Sequence, residues 1–342
     1  MASSFLAFAT ERFESEITPV LEEYIAIPAK SPHFEPAWAE LGHIDRAVRL
    51  LDSWARSRPI AGLRTEVVTL PGRTPVLLLE IPAFGVPASA DAVLLYGHLD
   101  KQPEMVGWDA DLGPWKPVRR GDRLYGRGGA DDGYAIFASL TAIEAVQASG
   151  GQHVRCVVLI EACEESGSYD LPHYVEHLLP RIGTPSLVVC LDSGAGDYER
   201  LWMTTSLRGL VAGTLTARVL DQGVHSGDAS GVVPSSFRVL RQLLDRIEDA
   251  KTGRFLLPSF HTEVPPLRRE QAGQAARLLG DTAWKRFPWA GGTQPMSDDP
   301  TTIALARTWT PMLSITGAEG LPAIGSAGNV LRPETALKLS VR

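Results

Sequence analysis

Short apolar segments rich in Val and Leu alternate along the first half of this chain with longer segments of helical spacing. The apolar segments cover residues 92–97, 154–161 and 186–191, and the helical patterns cover residues 36–57 and 132–148. Strands that alternate with helices predict an α/β fold in which helices cover both faces of a mainly parallel sheet. We therefore predict a three-layer α/β sandwich for this part of the chain.

Polar residues of one chemical kind follow all three apolar segments. His98 follows the first, Glu164 and Glu165 follow the second, and Asp192 follows the third. In open α/β sheets, active groups gather just beyond the carboxyl ends of the strands. We therefore expect these four side chains to lie close together at one edge of the sheet.

The length of the chain predicts two domains, because 342 residues exceed what one hydrophobic core usually organises. We place the first domain at residues 1–204 and a second, smaller α+β domain at residues 205–342. Around and within the second domain, residues 201–220 are predicted as two antiparallel strands, residues 232–249 as a helix and residues 335–341 as a half-buried strand.

Composition and charge argue against several classes of partner. The formal net charge of -7 and the pI near 5.7 do not favour a nucleic-acid surface. No apolar run is long enough to span a membrane, and the N-terminus lacks the basic leader of a signal peptide. Cys156, Cys163 and Cys190 lie in apolar surroundings, which predicts buried free thiols in a reducing compartment. We therefore expect a cytoplasmic protein without nucleic-acid or membrane partners.

Asp131 lies in a glycine-rich turn between the first two strand ends, within Tyr125-Gly126-Arg127-Gly128-Gly129-Ala130-Asp131-Asp132-Gly133. A carboxylate can bridge two cations, and glycine lets the backbone approach them closely. We predict that Asp131 bridges a pair of divalent ions, with His98 and Asp192 on one ion and Glu165 on the other. Imidazole mixed with carboxylates suits zinc.

Two further acidic residues receive roles beside these ligands. Glu164 and Glu165 point in different directions from a strand end, so Glu164 can face the substrate as a general base. Asp100 stands two residues after His98. We predict that it accepts the free ring N–H of His98 and fixes the tautomer of the imidazole.

Plainer interpretations exist for each cluster taken alone. Gly97-His98-Leu99-Asp100 could be an ordinary turn after a strand, and Glu164-Glu165 could be solvated surface. Asp131-Asp132 could cap the following helix at its positive end. Their joint occurrence at strand ends favours the metal site over these readings.

The motifs resemble the co-catalytic zinc metallopeptidase family of carnosinase, aminoacylase, carboxypeptidase G and succinyl-diaminopimelate desuccinylase. An aromatic loop that contains Trp108 and Trp115 is most similar to the carnosinase and dipeptidase branch. The matching motifs are Gly97-His98-Leu99-Asp100, Gly126-Arg127-Gly128-Gly129-Ala130-Asp131-Asp132-Gly133, Glu164-Glu165-Ser166-Gly167-Ser168 and Asp192-Ser193-Gly194.

The resemblance implies that residues 1–204 are a metal-binding catalytic domain. It gives the same ligands and the same general base as the reasoning above, with two Zn²⁺ or Mn²⁺ ions. It also implies a cis peptide bond between Asp131 and Asp132.

The resemblance further implies that residues 205–342 are a lid domain that forms a homodimer. A histidine in a glycine-rich turn of the lid reaches the partner's active site and stabilises the oxyanion, and His225 in Val224-His225-Ser226-Gly227 matches it. By spacing, Asn329 and Arg342 resemble lid positions that contact the substrate carboxylate.

One departure from the family concerns its last metal ligand. The family supplies a final histidine from a segment that follows the lid, whereas the last histidine here is His261 and the sequence given ends at Arg342. The resemblance therefore implies either a truncated chain or an incomplete second metal site.

The expected function is metal-dependent hydrolysis of the amide bond in dipeptides or small peptides, with Glu164 as the base for an activated water. One alternative is an N-acyl-amino-acid amidohydrolase, which would use the same core with a different pocket. Another is a catalytically incomplete fragment that keeps the fold. The expected partners are the small peptide or N-acyl amino acid substrate and a second copy of the chain.

Overall fold

The computed structural model describes residues 2–88, 91–204 and 207–342, and the side chains from residue 5 onward. The chain divides into two compact units, Met1–Ser193 and Gly194–Arg342. Residue 205, where the second domain is predicted to begin, lies outside the described residues. Within the described part of the chain, every helix is too short or too polar to cross a membrane.

The first unit contains helices that lie before and between its strands. A π-helical turn at Phe13–Ile17 joins the first two of them. The helix predicted over residues 36–57 is divided in two, because Gly42 adopts a left-handed conformation with φ 66° and ends the first piece. The helices are α1 Ala2–Arg12, α2 Thr18–Ala26, α3 Trp38–Leu41, α4 His43–Arg56, α5 Ala135–Ala148 and α6 Leu171–Ile182.

The central sheet of this unit has five strands in the order β1-β2-β6-β3-β7. Strand β3 is parallel to both of its neighbours, whereas β2 is antiparallel to β1, with which it forms a hairpin, and to β6. A short hairpin of β4 and β5 lies apart. The strands are β1 Arg64–Val68, β2 Val76–Ile81, β3 Ala92–His98, β4 Val118–Arg120, β5 Arg123–Tyr125, β6 Arg155–Glu161 and β7 Leu187–Cys190.

Apolar side chains cover both faces of the sheet. On β2, Leu77 and Leu79 pack into one core with residues of α2, α4 and α5. Leu78, between them, packs on the opposite face in a second core that includes Tyr174 and Leu178 of α6. This alternation follows from the two-residue period of a strand. The predicted three-layer α/β sandwich is therefore confirmed.

Strand β7 forms one edge of this sheet and carries exposed apolar residues. Leu187 and Val188 are 54% and 55% exposed. The cysteines are free, but only Cys156 and Cys163 are buried. The prediction of a buried Cys190 is wrong, because this residue lies on the edge strand.

The second unit is an antiparallel sheet in the order β10-β12-β8, with helices and a two-stranded β9–β11 pair. Ala217, Leu240 and Leu337 form its small core. The strands are β8 Val211–Arg218, β9 Val224–His225, β10 Leu313–Glu319, β11 Val330–Leu331 and β12 Glu334–Val341. The helices are α7 Ser226–Ala229, α8 Ser236–Leu244, α9 Pro266–Leu279, α10 Thr282–Lys285 and α11 Pro300–Thr308.

Two predicted elements of this unit differ from the structure. Among the described residues of 201–220, only β8 is a strand, so the predicted antiparallel pair is wrong and β8 pairs with β12 instead. The helix predicted over residues 232–249 is shorter, because Ser235 caps it by accepting the backbone N–H of Arg238 at 3.4 Å. The strand predicted at residues 335–341 is confirmed as β12.

Candidate metal centre

His98 is the buried last residue of β3, and its ring faces three carboxylates. Its Nε2 atom lies 3.3 Å from Asp131 Oδ1, 3.8 Å from Glu164 Oε2 and 3.8 Å from Asp192 Oδ2. The side chains predicted to gather at the strand ends therefore do so.

The strand order explains why these loops meet. Because β3 lies between β6 and β7 and runs parallel to both, the carboxyl ends of the three strands adjoin. Glu164 and Glu165 stand in a 3₁₀ turn soon after β6, and Asp192 stands two residues after β7.

The loop that carries Asp131 is shaped by glycines and a cis peptide bond between Asp131 and Asp132, as the family resemblance implied. A Cβ atom at Gly133 would lie 2.1 Å from the Tyr24 ring, so a larger residue cannot occupy this position. Buried Asp132 accepts the backbone N–H of His98 at 3.3 Å. Neither aspartate caps α5, whose N-cap is Tyr134, so the interpretation of this pair as a helix cap is wrong.

Asp100 is fully buried and connects two of these loops. Its backbone oxygen lies 3.0 Å from His98 Nδ1, and its Oδ1 atom lies 3.5 Å from the same nitrogen. Its carboxylate also accepts the backbone N–H groups of Glu164 at 3.1 Å and Glu165 at 3.0 Å. The main chain of Asp100 thus makes the closer contact to the imidazole, and its side chain orients the glutamate turn.

Sequence reasoning missed Gln102, whose amide donates a hydrogen bond to Glu165 Oε2. The other oxygen, Oε1, is buried and has no hydrogen-bond partner among the described residues. A signal for Gln102 existed, since it follows Asp100 by two residues on the same strand-end loop.

The carboxylates and the imidazole perturb one another strongly. Burial lowers the pKa of His98, but hydrogen bonds with Asp100 and Asp131 outweigh this and raise it to about 11. Burial raises the pKa of Glu165 to about 7 and also raises the pKa values of Glu164 and Asp192. The hydrogen bond with His98 lowers the pKa of Asp131. The site therefore holds an excess of negative charge that a bound cation would neutralise.

The donor set fits divalent cations. Two groups of residues could each hold an ion: His98 with Asp131 and Glu165, and His98 with Glu164 and Asp192. Within each group, the ligand atoms lie within 4.8 Å of one another. The Nε2 atom of His98 is buried, with carboxylate oxygens of Asp131, Glu164 and Asp192 at 3.3–3.8 Å. One imidazole among carboxylates suits Zn²⁺ or Mn²⁺.

In the second unit, the structure brings together two of the three predicted substrate residues. His225 ends β9, and its Nδ1 accepts the backbone N–H of Gly227 at 3.1 Å. The backbone oxygen of Asn329 accepts the backbone N–H of Ser226 at 3.0 Å. Arg342 follows β12 and pairs with Met312. Arg342 therefore stands at the C-terminal end of β12. Asn329 precedes β11, which comes before the N-terminal end of β12 in the chain.

The fold is of the α/β class, and its centre has a donor set that fits divalent cations. The model of "Peptidase family M20/M25/M40" matches residues 94–307, which is more than half of the chain. The chain therefore belongs to this peptidase family.

Two curated relatives share 28% identity with the chain over 259 residues each. The Cysteinylglycine-S-conjugate dipeptidase of Corynebacterium striatum matches 74% of this chain and 54% of its own length. The Beta-Ala-His dipeptidase of Homo sapiens matches 72% of this chain and 48% of its own length. The alignments thus span about half the length of each relative.

A solved structure described as the di-peptidase Dug1p from Saccharomyces cerevisiae has the same fold. The TM-score is 0.74 at 22% sequence identity, over 99% of this chain and 71% of that chain. At this identity, the similarity supports the fold alone.

Proposed function

We propose that this protein is a metal-dependent hydrolase that cleaves the amide bond of dipeptides or small peptides. The observation that carries the proposal is the buried Nε2 atom of His98, which faces Asp131, Glu164 and Asp192 at 3.3–3.8 Å. Membership of a peptidase family and the dipeptidase names of the curated relatives support the substrate class.

His98, Asp131 and Asp192 would hold one divalent ion, and Asp131 with Glu165 would hold the other. Zn²⁺ is our first choice and Mn²⁺ the alternative, since both accept imidazole and carboxylate ligands. When bound, such ions polarise the scissile carbonyl and acidify water.

Glu164 is the proposed general base. Its side chain is 33% exposed, whereas that of His98 is fully buried, so Glu164 can reach a substrate as well as the centre. Burial raises its pKa above the ordinary value, which makes it a better proton acceptor once ionised. Glu164 would take a proton from the attacking water and deliver it to the leaving amine.

The remaining roles belong to residues that orient or bind. Asp100 fixes the imidazole and the glutamate turn through the contacts described above. In the second unit, exposed His225 would stabilise the oxyanion of a partner subunit, and Asn329 and Arg342 would contact the substrate carboxylate. We accordingly propose residues 205–342 as a lid that forms a homodimer, and a cytoplasmic location.

The test measures bound metal and hydrolysis in one preparation. The protein is stripped with a chelator, reloaded with Zn²⁺ or Mn²⁺, and assayed on Cys-Gly, β-Ala-His and N-acetyl amino acids. We expect two ions per chain and metal-dependent cleavage of a dipeptide. His98→Gln should weaken the ion held by His98, Asp131 and Asp192 and abolish cleavage, whereas His173→Gln, which changes an exposed histidine of α6, should change neither metal content nor cleavage. Hydrolysis of N-acetyl amino acids alone, or a failure to bind metal, would contradict the proposal.

A further inference from the structure

Asp192 has weaker strand support than the other predicted ligands of the centre. His98 is the last residue of the central strand β3, whereas Asp192 follows the edge strand β7, which pairs with β3 alone. That pairing ends at Cys190, so Leu191 and Asp192 have no ladder bonds among the described residues. The position of the Asp192 carboxylate therefore depends on contacts made by this short loop.

Tyr134 supplies such a contact from the loop of another ligand. Its hydroxyl donates a hydrogen bond to the backbone oxygen of Leu191, the residue directly before Asp192. Tyr134 itself stands three residues after Asp131, at the N-cap of α5. One side chain thus connects the loops of Asp131 and Asp192.

The ring of Tyr134 is held in place by packing. It is half-buried and lines an apolar groove of about 490 Å³ together with Phe13, Ile17 and Phe137. Burial raises the pKa of Tyr134 to about 12, and the charges of Asp132 and Asp192 act in the same direction. The hydroxyl therefore remains a proton donor at neutral pH.

We propose that Tyr134 is a positioning residue that fixes the separation of Asp131 and Asp192. It acts through the backbone of Leu191 and thereby supports the ion held by His98, Asp131 and Asp192. This inference rests on the proposed two-metal function. No motif of the sequence analysis includes Tyr134.

The hydrogen bond of Tyr134 should support only one of the two proposed ions. Glu165, on the other ion, is held by the carboxylate of Asp100 and the amide of Gln102, and these hydrogen bonds do not involve Leu191. Loss of the Tyr134 hydroxyl should therefore weaken one ion and leave the other in place.

Tyr134→Phe removes the hydroxyl and keeps the ring in its groove. The measurement is a Zn²⁺ titration of the full chain with metal content determined after dialysis, which does not depend on activity. We expect the wild type to retain two ions. The variant should retain the ion held by Asp131 and Glu165 and bind the ion held by His98, Asp131 and Asp192 about 10- to 100-fold more weakly, the range found when a group that orients a metal ligand is removed.

Tyr174→Phe is the matched control. The hydroxyl of Tyr174 donates to the backbone oxygen of Thr74 at 2.6 Å. Tyr174 lies in the core on the face of the sheet that packs against α6. Both Zn²⁺ affinities should therefore be unchanged in this variant. Tyr134→Ala also removes the ring. It should weaken binding of the ion held by His98, Asp131 and Asp192 at least as much as Tyr134→Phe does.

The outcomes separate this inference from the proposed function. A wild type that binds no ion overturns the two-metal function. A wild type with two ions and a Tyr134→Phe variant that titrates identically overturns the role of the hydroxyl alone. Equal weakening of both ions at an unchanged unfolding temperature overturns the selectivity. Loss of one ion in Tyr134→Phe, with Tyr174→Phe normal, supports the proposal.

Discussion

The side chain of Asp100 accepts the backbone N–H of Glu165, with 3.0 Å between Oδ2 and the nitrogen. The second oxygen of the same carboxylate accepts the N–H of Glu164 at 3.1 Å. Both oxygens of a buried aspartate are thus used to orient the turn that carries the proposed base and a proposed ligand. The loop after β3 and the loop after β6 therefore hold their positions together.

Asp100→Asn should damage the centre although it preserves shape. An amide has one oxygen, so one of the two backbone N–H groups would face an NH₂ group and lose its acceptor. We expect a loss of stability of about 1–3 kcal/mol, the usual cost of a buried unsatisfied group, together with weaker metal binding. Urea unfolding and Zn²⁺ titration measure the two effects. Asp122→Asn, at an exposed aspartate, is the control, and equal behaviour of the two variants would contradict the role of Asp100.

Glu164→Gln and Glu165→Gln should separate a base from a ligand. The first should retain both ions and lose roughly 10²–10⁴-fold in kcat, since it removes the proton acceptor. The second should lose affinity for one ion, because an amide replaces an anionic ligand. Metal content and steady-state rates on a dipeptide distinguish the two. If Glu164→Gln released metal as readily as Glu165→Gln, Glu164 would be a ligand and another base would be required.

Removal of metal should destabilise the first unit. The four carboxylates proposed as ligands or base lie near His98, and burial raises the pKa values of Glu164, Glu165 and Asp192. A cation that binds only the folded state stabilises it by about 2.7 kcal/mol at a concentration 100 times its Kd. We expect chelation to lower the unfolding temperature and Zn²⁺ or Mn²⁺ to restore it, whereas the response of His98→Gln to metal should be smaller than that of the wild type. An unfolding temperature that ignores metal in the wild type would contradict the site.

The convergence of the proposed ligands could be predicted because its signal is local. An apolar run of strand length followed by His98 or Glu164 places a polar group at the end of a buried strand, and parallel strands bring such ends together. The alternation of Leu77, Leu78 and Leu79 between two cores likewise follows from strand geometry.

The supports of these ligands could not be predicted, because their contacts join residues far apart in sequence. Tyr134 bonds Leu191, and Gln102 bonds Glu165, through side chains that local patterns treat as ordinary polar residues. The exposure of Cys190 depends on the position of β7 in the strand order, which an apolar segment does not reveal.

Glu16 should make stability depend on acid pH. It forms ion pairs with Arg12 and Arg58, and the hydrogen bond from Arg58 lowers its pKa. A carboxyl group with a lowered folded pKa stabilises the fold above its unfolded value, near 4.3, and this contribution is lost as the pH falls through the folded pKa. Glu16→Gln should therefore lower the unfolding temperature at pH 7, and the difference from the wild type should shrink below about pH 4. Glu23→Gln, at an exposed residue of α2, should match the wild type, and a difference for Glu16→Gln that persists undiminished in acid would contradict this account.

Lys101→Met should destabilise the first unit, although methionine is more hydrophobic than lysine. Lys101 is fully buried, and its Nζ donates to the backbone oxygens of Tyr24 at 2.7 Å, Ile25 at 3.3 Å and Ile27 at 2.9 Å, at the C-terminal end of α2. Methionine would keep most of the packing but leave these carbonyl groups without their donor.

We expect Lys101→Met to cost about 2–4 kcal/mol in urea unfolding, more than one unsatisfied acceptor because three oxygens are affected. The carbons of Lys101 also lie beneath Gly128, where an added Cβ would approach them to 2.7 Å, so the loop of Asp131 rests on this side chain. The variant should therefore bind Zn²⁺ more weakly as well. Lys116→Met, at an exposed lysine of the same unit, should change stability by no more than about 0.5 kcal/mol. If the two variants were equally stable, the carbonyl groups at the end of α2 would not need the buried amino group of Lys101.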